Sequence, residues 1–292
     1  MKISLFLMTN KGYQVLKAVV ENSFIQNVDK VIIGLDKSVQ NDYSNEIKAL
    51  CEKHKIEFFF SNQNFEIVSP FSIAISWRWI VNLKDSKLIV LHDSILPKYR
   101  GFAPLVNALI NKEDFIGVTA LFASSDYDTG SIILQRQIPI TYPIKIIDAI
   151  EKISALYSEI VISIFEKINS NVVLDSSDQK EEEASYSLWL DSEDYFINWN
   201  DSSTKIKRFI DTVGYPYQGA KCLINGEIVV IHNATLVEEV KIENRDTGKV
   251  IFIENNKPVV VCGRGLLRIE EAEFETTKQS LLPLKKFRTR FK

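Results

Sequence analysis

Short apolar runs separated by polar turns recur along the first part of this chain. Residues 3–8, 31–35, 57–60, 71–76, 88–91, 117–123 and 131–135 are brief, rich in β-branched or large apolar side chains, and predict buried strands. Between them the spacing changes to a helical period, up to about Glu21 and again over 41–54. Residues 104–111 predict a helix with Pro104 in its first turn, where a missing N–H costs nothing. Ile146, Ile147, Ile150, Ile153, Tyr157, Ile160, Ile164 and Ile168 mark one apolar stripe with a charged back, a packing helix. Strand alternating with helix predicts an α/β domain over residues 1–173, a Rossmann-like, mostly parallel sheet covered on both faces.

The pattern then breaks. Residues 174–184 are almost all polar or small and show no period, which predicts a solvated linker. Beyond it a helix is expected over 203–212. Short alternating strands follow at 221–223, 227–232, 235–241, 249–253, 258–262 and 266–273. Asn225-Gly226 and Asn255-Asn256 read as hairpin turns. The expectation for 185–292 is a smaller β-barrel-like (OB-like) domain.

Composition narrows the function classes. An apolar fraction of 46% and a charged fraction of 25% in 292 residues are those of a globular protein with ample core. A net charge of −3 offers no basic footprint for nucleic acid or an anionic membrane. No run reaches the ~20 apolar residues of a membrane span, and the first residues read as a strand, not a signal peptide. Cys51, Cys222 and Cys262 are far apart and match no metal spacing, which predicts reduced thiols in a cytoplasmic protein without a metal. The first strand–turn–helix lacks the G-x-G-x-x-G fingerprint, so a dinucleotide is not expected.

The chemistry concentrates between residues 91 and 135. His92 leaves the end of the strand at 88–91 into a polar, proline-containing loop. Imidazole titrates near neutrality without help, which suits a general acid or base. His54 sits in a charged helix end and His232 on an alternating strand, so neither competes with it. A carboxylate must hold the ring. Asp128 is favoured, two residues before Gly130; Asp126 and Asp93 are rivals, although alternation turns Asp93 to the other side of its strand.

Residues 92–101, His-Asp-Ser-Ile-Leu-Pro-Lys-Tyr-Arg-Gly, together with Gly117-Val-Thr and Asp128-Thr-Gly130, resemble the formyltransferases that use N10-formyltetrahydrofolate. That group contains methionyl-tRNA formyltransferase and the sugar N-formyltransferases. The runs from Ser187 to Trp199 and from Tyr215 to Ala220 resemble the join to its smaller C-terminal domain, so the likeness spans roughly residues 70–220. It implies His92 and Asp128 as catalytic residues and Asn two positions before the histidine, where this chain has Val90. His92 itself, or Ser94, would then face the oxyanion that forms as an amine attacks the formyl carbon. The resemblance further implies a pterin pocket at Ser76, Trp77, Arg78 and Ile80, closed by the loop of Asp126, Tyr127 and Asp128. Ser94, Lys98, Tyr99 and Arg100 would meet the acceptor at the mouth, and Lys11 would meet a phosphate. The implied reaction moves a formyl group from N10-formyltetrahydrofolate to the amine of a nucleotide-linked amino sugar, with a lean to a pseudaminic-acid type pathway. The protein would be a homodimer that binds neither nucleic acid nor membrane. Methionyl-tRNA formyltransferase is the alternative, and a non-catalytic folate- or nucleotide-binding homologue the second.

Overall fold

The computed structural model describes residues 1–37, 39–79, 81, 83 and 86–292. They form two compact units, Met1–Ala108 with Glu113–Ile140 and Asp148–Trp189, and Leu109–Lys112 with Thr141–Ile147 and Leu190–Lys292.

The first unit is built from β1 (Ile3–Leu7), α1 (Thr9–Glu21), β2 (Val28–Ile33), α2 (Ser44–His54), β3 (Phe58–Phe60), β4 (Phe71–Ile75), β5 (Lys87–His92), β6 (Arg100–Gly101), α3 (Pro104–Ile110), β7 (Phe115–Phe122), β8 (Ile132–Pro139), α4 (Ile146–Asn169) and β9 (Tyr186–Ser187). Seven strands form one sheet in the order β3-β2-β1-β4-β5-β7-β8. β1 to β5 run parallel, and β7 and β8 add antiparallel. Every residue of the central β1 is buried, which is why such strands read as unbroken apolar runs. The chain winds from β1 outward to β3, then crosses back to β4 on the other side of β1. Ligands of open α/β sheets bind at such a switch point, beyond the strands' carboxyl ends. α2 starts at Ser44, later than the apolar period suggested. The Asn41 and Asp42 side chains accept from the amides of Tyr43 and Ser44 and hold the preceding residues in a turn.

Residues 174–184 correct the expectation of a solvated tether. They belong to the first unit and hydrogen-bond to it, with Ser177 and Ile132 exchanging backbone bonds of 2.7 and 2.9 Å. A polar run without period is what a segment needs if its partners are loop backbone groups rather than a core.

The second unit contains α5 (Ser203–Val213), β10 (Ala220–Ile224), β11 (Glu227–Val237), β12 (Val250–Glu254), β13 (Lys257–Val261) and β14 (Leu266–Phe274). Its five strands form an antiparallel sheet in the order β10-β11-β14-β13-β12. Ser202 caps α5 by accepting the Lys205 amide at 3.3 Å. Asn225-Gly226 and Asn255-Asn256 form tight turns with positive φ at all four residues. The two strands expected at 227–232 and 235–241 are one, β11, whose register against β14 slips at Asn233. A bulge there interrupts the alternation and mimics a turn.

Across this sheet Glu270 receives Lys257 at 2.5 Å and Arg268 at 2.7 Å, and Arg268 also reaches Glu254 at 3.1 Å. Burial raises the Glu270 carboxyl, but hydrogen bonds from Lys257, Arg268 and Thr235 outweigh it and hold it at about 2, against an ordinary 4.5. A lowered folded value stabilises fully above 4.5 and is lost as the pH falls toward 2. The expected loss over that window is up to about 3 kcal/mol. Urea unfolding of the wild type and Glu270→Gln at pH 6 and pH 3 checks it: the gap between them narrows at pH 3.

The three cysteines are buried, and burial pushes each thiol up to about 12. Among the described residues no helix is long and apolar enough to cross a membrane. Nor, among them, does any group of three His, Cys, Asp or Glu gather closely enough to hold a metal.

Candidate active site

His92 is the last residue of β5, and alternation puts Leu88, Val90 and His92 on one face of the sheet. The imidazole is 7% exposed. Its Nδ1 lies 3.4 Å from Asp128 Oδ2, and its Nε2 lies 2.7 Å from the Tyr99 carbonyl oxygen. A carbonyl only accepts, so Nε2 carries a hydrogen. A second hydrogen on Nδ1 would make the ring cationic, and the Asp128 carboxylate stands where it would hold that charge.

Each side of this pair is held by its own loop. Asp128 has φ of 57°, and its Oδ2 also accepts the Gly101 amide at 2.9 Å. Within its loop the Ser124 and Thr129 hydroxyls lie 2.8 Å apart, one donating to the other and the other to the Asp126 carbonyl, which is within reach of both. Gly130 lets the loop fold back on β7, because a Cβ there would stand 1.7 Å from the Phe122 carbonyl oxygen. The loop after His92 is tied to the two strands beside it. Thr119 Oγ1 donates to the Ser94 carbonyl at 2.7 Å and accepts the Leu96 amide at 3.1 Å and Gln135 Nε2 at 2.8 Å. Gln135 Nε2 also reaches the Leu96 carbonyl at 2.9 Å. The residue-level reading of the sequence missed Thr119 and Gln135. Only the Gly117-Val-Thr motif pointed toward the first, since a polar residue inside a buried strand is itself a signal.

The other expected site residues separate. Asp93, on the opposite side of β5, receives Lys11 Nζ and the Tyr157 hydroxyl. Burial, then Asp93, pushes the Tyr157 hydroxyl well above its ordinary range. Lys11 is 8% exposed and committed to this pair, so the structure does not bring it to a phosphate. Arg100 is fully buried, with its guanidinium donors turned to Gln179 and Glu181, not to the mouth. Ser94 Oγ donates to the Lys98 carbonyl at 2.6 Å and pins the loop. Lys98 is exposed, and the Tyr99 hydroxyl donates to Glu113 at 2.7 Å.

On the pterin side, Ser76 follows β4 with φ of 54°, and among the described residues its buried Oγ has no hydrogen-bond partner. Trp77 packs edge-on against Phe6 and Trp79, both at 5.1 Å between ring centres. Arg78 pairs with Asp36 through both its terminal nitrogens, at 2.7 and 3.1 Å. Ile80 lies outside the described residues. A cleft of about 400 Å³ opens against Val81, Leu83, Lys87, Leu88, Phe122 and Ala123, within the range of small-molecule sites, ~300–1,000 Å³. Leu88 places it on the His92 face of the sheet. Val90 packs there with Phe6, Ala74 and Trp77, so this position is apolar where a donor was expected. Asp126 is exposed, and the largely exposed Tyr127 meets Phe102 edge-on at 5.9 Å. The cleft lining mixes Val81, Leu83, Leu88 and Phe122 with the polar Ser86 and Lys87, and Leu88 lies four residues before His92 along β5.

Both halves of the chain resemble known proteins. Residues 48–163 match the family described as "Formyl transferase", and residues 190–283 match "Formyl transferase, C-terminal domain". A methionyl-tRNA formyltransferase of Thermodesulfovibrio yellowstonii is 30% identical over 226 residues, 75% of this chain and 71% of the relative. Among solved structures, the sugar 3N-formyltransferase WlaRD, with dTDP and 5-N-formyl-THF, has a TM-score of 0.65 at 22% identity and covers 98% of both chains. The N-formyltransferase of Helicobacter canadensis, in complex with folinic acid and dTDP-3-aminofucose, has a TM-score of 0.67 at 21% identity, covering 92% of this chain and 98% of its own. With both halves matched in order and the His92–Asp128 loops inside the first match, the chain belongs to the formyl transferase family.

Proposed function

We propose that this protein transfers a formyl group from N10-formyltetrahydrofolate to the amine of a nucleotide-linked amino sugar. The observation that carries the reading is the His92–Asp128 contact, 3.4 Å long, with Leu88 of the cleft on the same face of β5 as His92. The folate derivative supplies the formyl carbon. Val81, Leu83, Leu88 and Phe122 would hold its ring system, with the Ser76 hydroxyl free to bond it.

His92 and Asp128 do the rest. The acceptor amine bonds to the formyl carbon while the His92 Nε2–H exchanges the Tyr99 carbonyl for the oxygen that gains charge. Asp128 holds the ring and helps draw the proton from the amine. The bond from the formyl carbon to N10 then breaks, and N10 takes that proton as tetrahydrofolate leaves. Val90 offers no side-chain donor, so this load falls on His92. Arg100, Lys11 and Ser94 are occupied elsewhere, which leaves the exposed Lys98 for the acceptor's phosphates.

The acceptor assignment rests on charge. A net −3 over 292 residues is poorly suited to gripping tRNA, whose binding depends on many Lys and Arg. Full-length similarity to two sugar N-formyltransferases supports the same choice. A cytoplasmic setting and a homodimer accompany it, and the buried thiols suit a reducing compartment. A pseudaminic-acid type product is the finer form of the proposal. Methionyl-tRNA as acceptor is the second reading, favoured by the 30% identity to such an enzyme. A folate-binding protein without turnover is the third, favoured by Val90.

One experiment separates them: incubation with N10-formyltetrahydrofolate and either a panel of amino-sugar nucleotides or methionyl-tRNA, read by mass. Formylated sugar nucleotide is expected. Formylation of methionyl-tRNA alone selects the second reading, and folate binding with no product in either arm selects the third.

A further inference from the structure

Residues 177–187 lie across both loops that carry the reacting pair. Ser131 Oγ donates to Asp178 at 2.7 Å. Gln179 Nε2 then donates to the Asp128 carbonyl at 2.6 Å and the Gly130 carbonyl at 2.9 Å. Its Oε1 accepts Arg100 Nε at 3.1 Å and Nη2 at 2.9 Å. Glu181 accepts from Nη2 at 2.7 Å and Nη1 at 2.9 Å, and the Tyr186 hydroxyl accepts from Nη1 at 3.4 Å. Further along, Ser185 accepts the Tyr99 amide on its Oγ at 3.0 Å and the Arg100 amide on its carbonyl at 2.8 Å. The Tyr99 carbonyl between these bonds is the acceptor of His92 Nε2.

One amide side chain thus joins the backbone of the Asp128 loop to the side chain that anchors the His92 loop. Both its hydrogens and its oxygen are used. An amide is suited to this place, because a carboxylate cannot donate to two carbonyls and an ammonium cannot accept from a guanidinium. Neither Gln179 nor Arg100 touches the cleft. We infer that Gln179, backed by Arg100, is a positioning residue that sets the separation of Asp128 from His92. The inference rests on the transfer reaction proposed above. A displacement of about 1 Å in such a pair costs on the order of a hundredfold in rate.

Gln179→Met keeps the length and removes every bond, while Gln179→Glu keeps an acceptor for Arg100 and removes both donors. In each, kcat is expected to fall by roughly 10- to 100-fold with KM for both substrates within about twofold of wild type. Hydrogen–deuterium exchange over residues 124–131 should quicken while the β1, β2 and β4 amides stay protected. Unchanged exchange over 124–131 overturns the inference, as does faster exchange throughout the first unit, which marks a general structural role. So does looser exchange with kcat intact. If wild type formylates no acceptor, the proposed reaction has failed, and the exchange arm alone still decides whether Gln179 sets the loop.

Discussion

Replacing His92 with asparagine is expected to lower kcat by about a thousandfold, the middle of the range for removing a general acid or base. Asparagine can still donate to the Tyr99 carbonyl, so the end of β5 keeps its bond and the fold should lose no more than about 1 kcal/mol. What disappears is the second ring nitrogen facing Asp128 and the capacity to carry a positive charge. With a valine two residues earlier, no neighbouring side chain takes over the developing negative oxygen, so no partial rescue is expected. The residues flooring the cleft are untouched, and folate affinity measured calorimetrically should stay within about threefold of wild type, a difference below 1 kcal/mol. Turnover within a few-fold of wild type would remove His92 from the chemistry.

Asp128→Asn should be as severe, about 10³- to 10⁴-fold in kcat, by analogy with the orienting aspartate of a catalytic triad. The side-chain oxygen can go on accepting the Gly101 amide, and the loop keeps its backbone bonds to Gln179. Geometry is therefore preserved while the charge is lost. The imidazolium no longer has a counter-charge. If the two groups act as a unit, the double variant is little worse than either single one. Single-turnover rates for all three variants test this. Losses that multiply would mean that the two side chains work independently and that the 3.4 Å contact is incidental.

How much of this was legible beforehand divides by the range of the interactions. Buried parallel strands are apolar on both faces, so β1, β2 and β4 announce themselves residue by residue. The single stripe of α4 does the same at a longer period. His92 and Asp128 could be paired through the motif that resembles the formyltransferases, not through strand order: β7 runs antiparallel to β5, so the Asp128 loop leaves the end away from His92 and folds back to reach it. The family resemblance, together with residue type, gives Arg100, Lys11 and Ser94 outward-facing tasks. The structure turns each to a partner distant in sequence or hidden in its own loop: Gln179 and Glu181, Asp93, and the Lys98 carbonyl. No periodicity records such a contact, because hydrogen bonds between loops obey no repeat. The same blindness made 174–184 look free, and it split β11 in two at Asn233, where an extra residue reverses the alternation.

The segment that crosses the two loops also decides where the chain can be divided. The family match to the first half ends at residue 163, and the apolar stripe of α4 stops at Ile168, so either point invites a cut. A fragment ending there would keep the whole seven-stranded sheet yet strand the Arg100 guanidinium, fully buried, without Gln179 or Glu181 to receive it. Its Asp128 loop would lose two carbonyl partners at the same stroke. A piece that keeps these bonds therefore has to run on past Glu181, well beyond the last turn of α4.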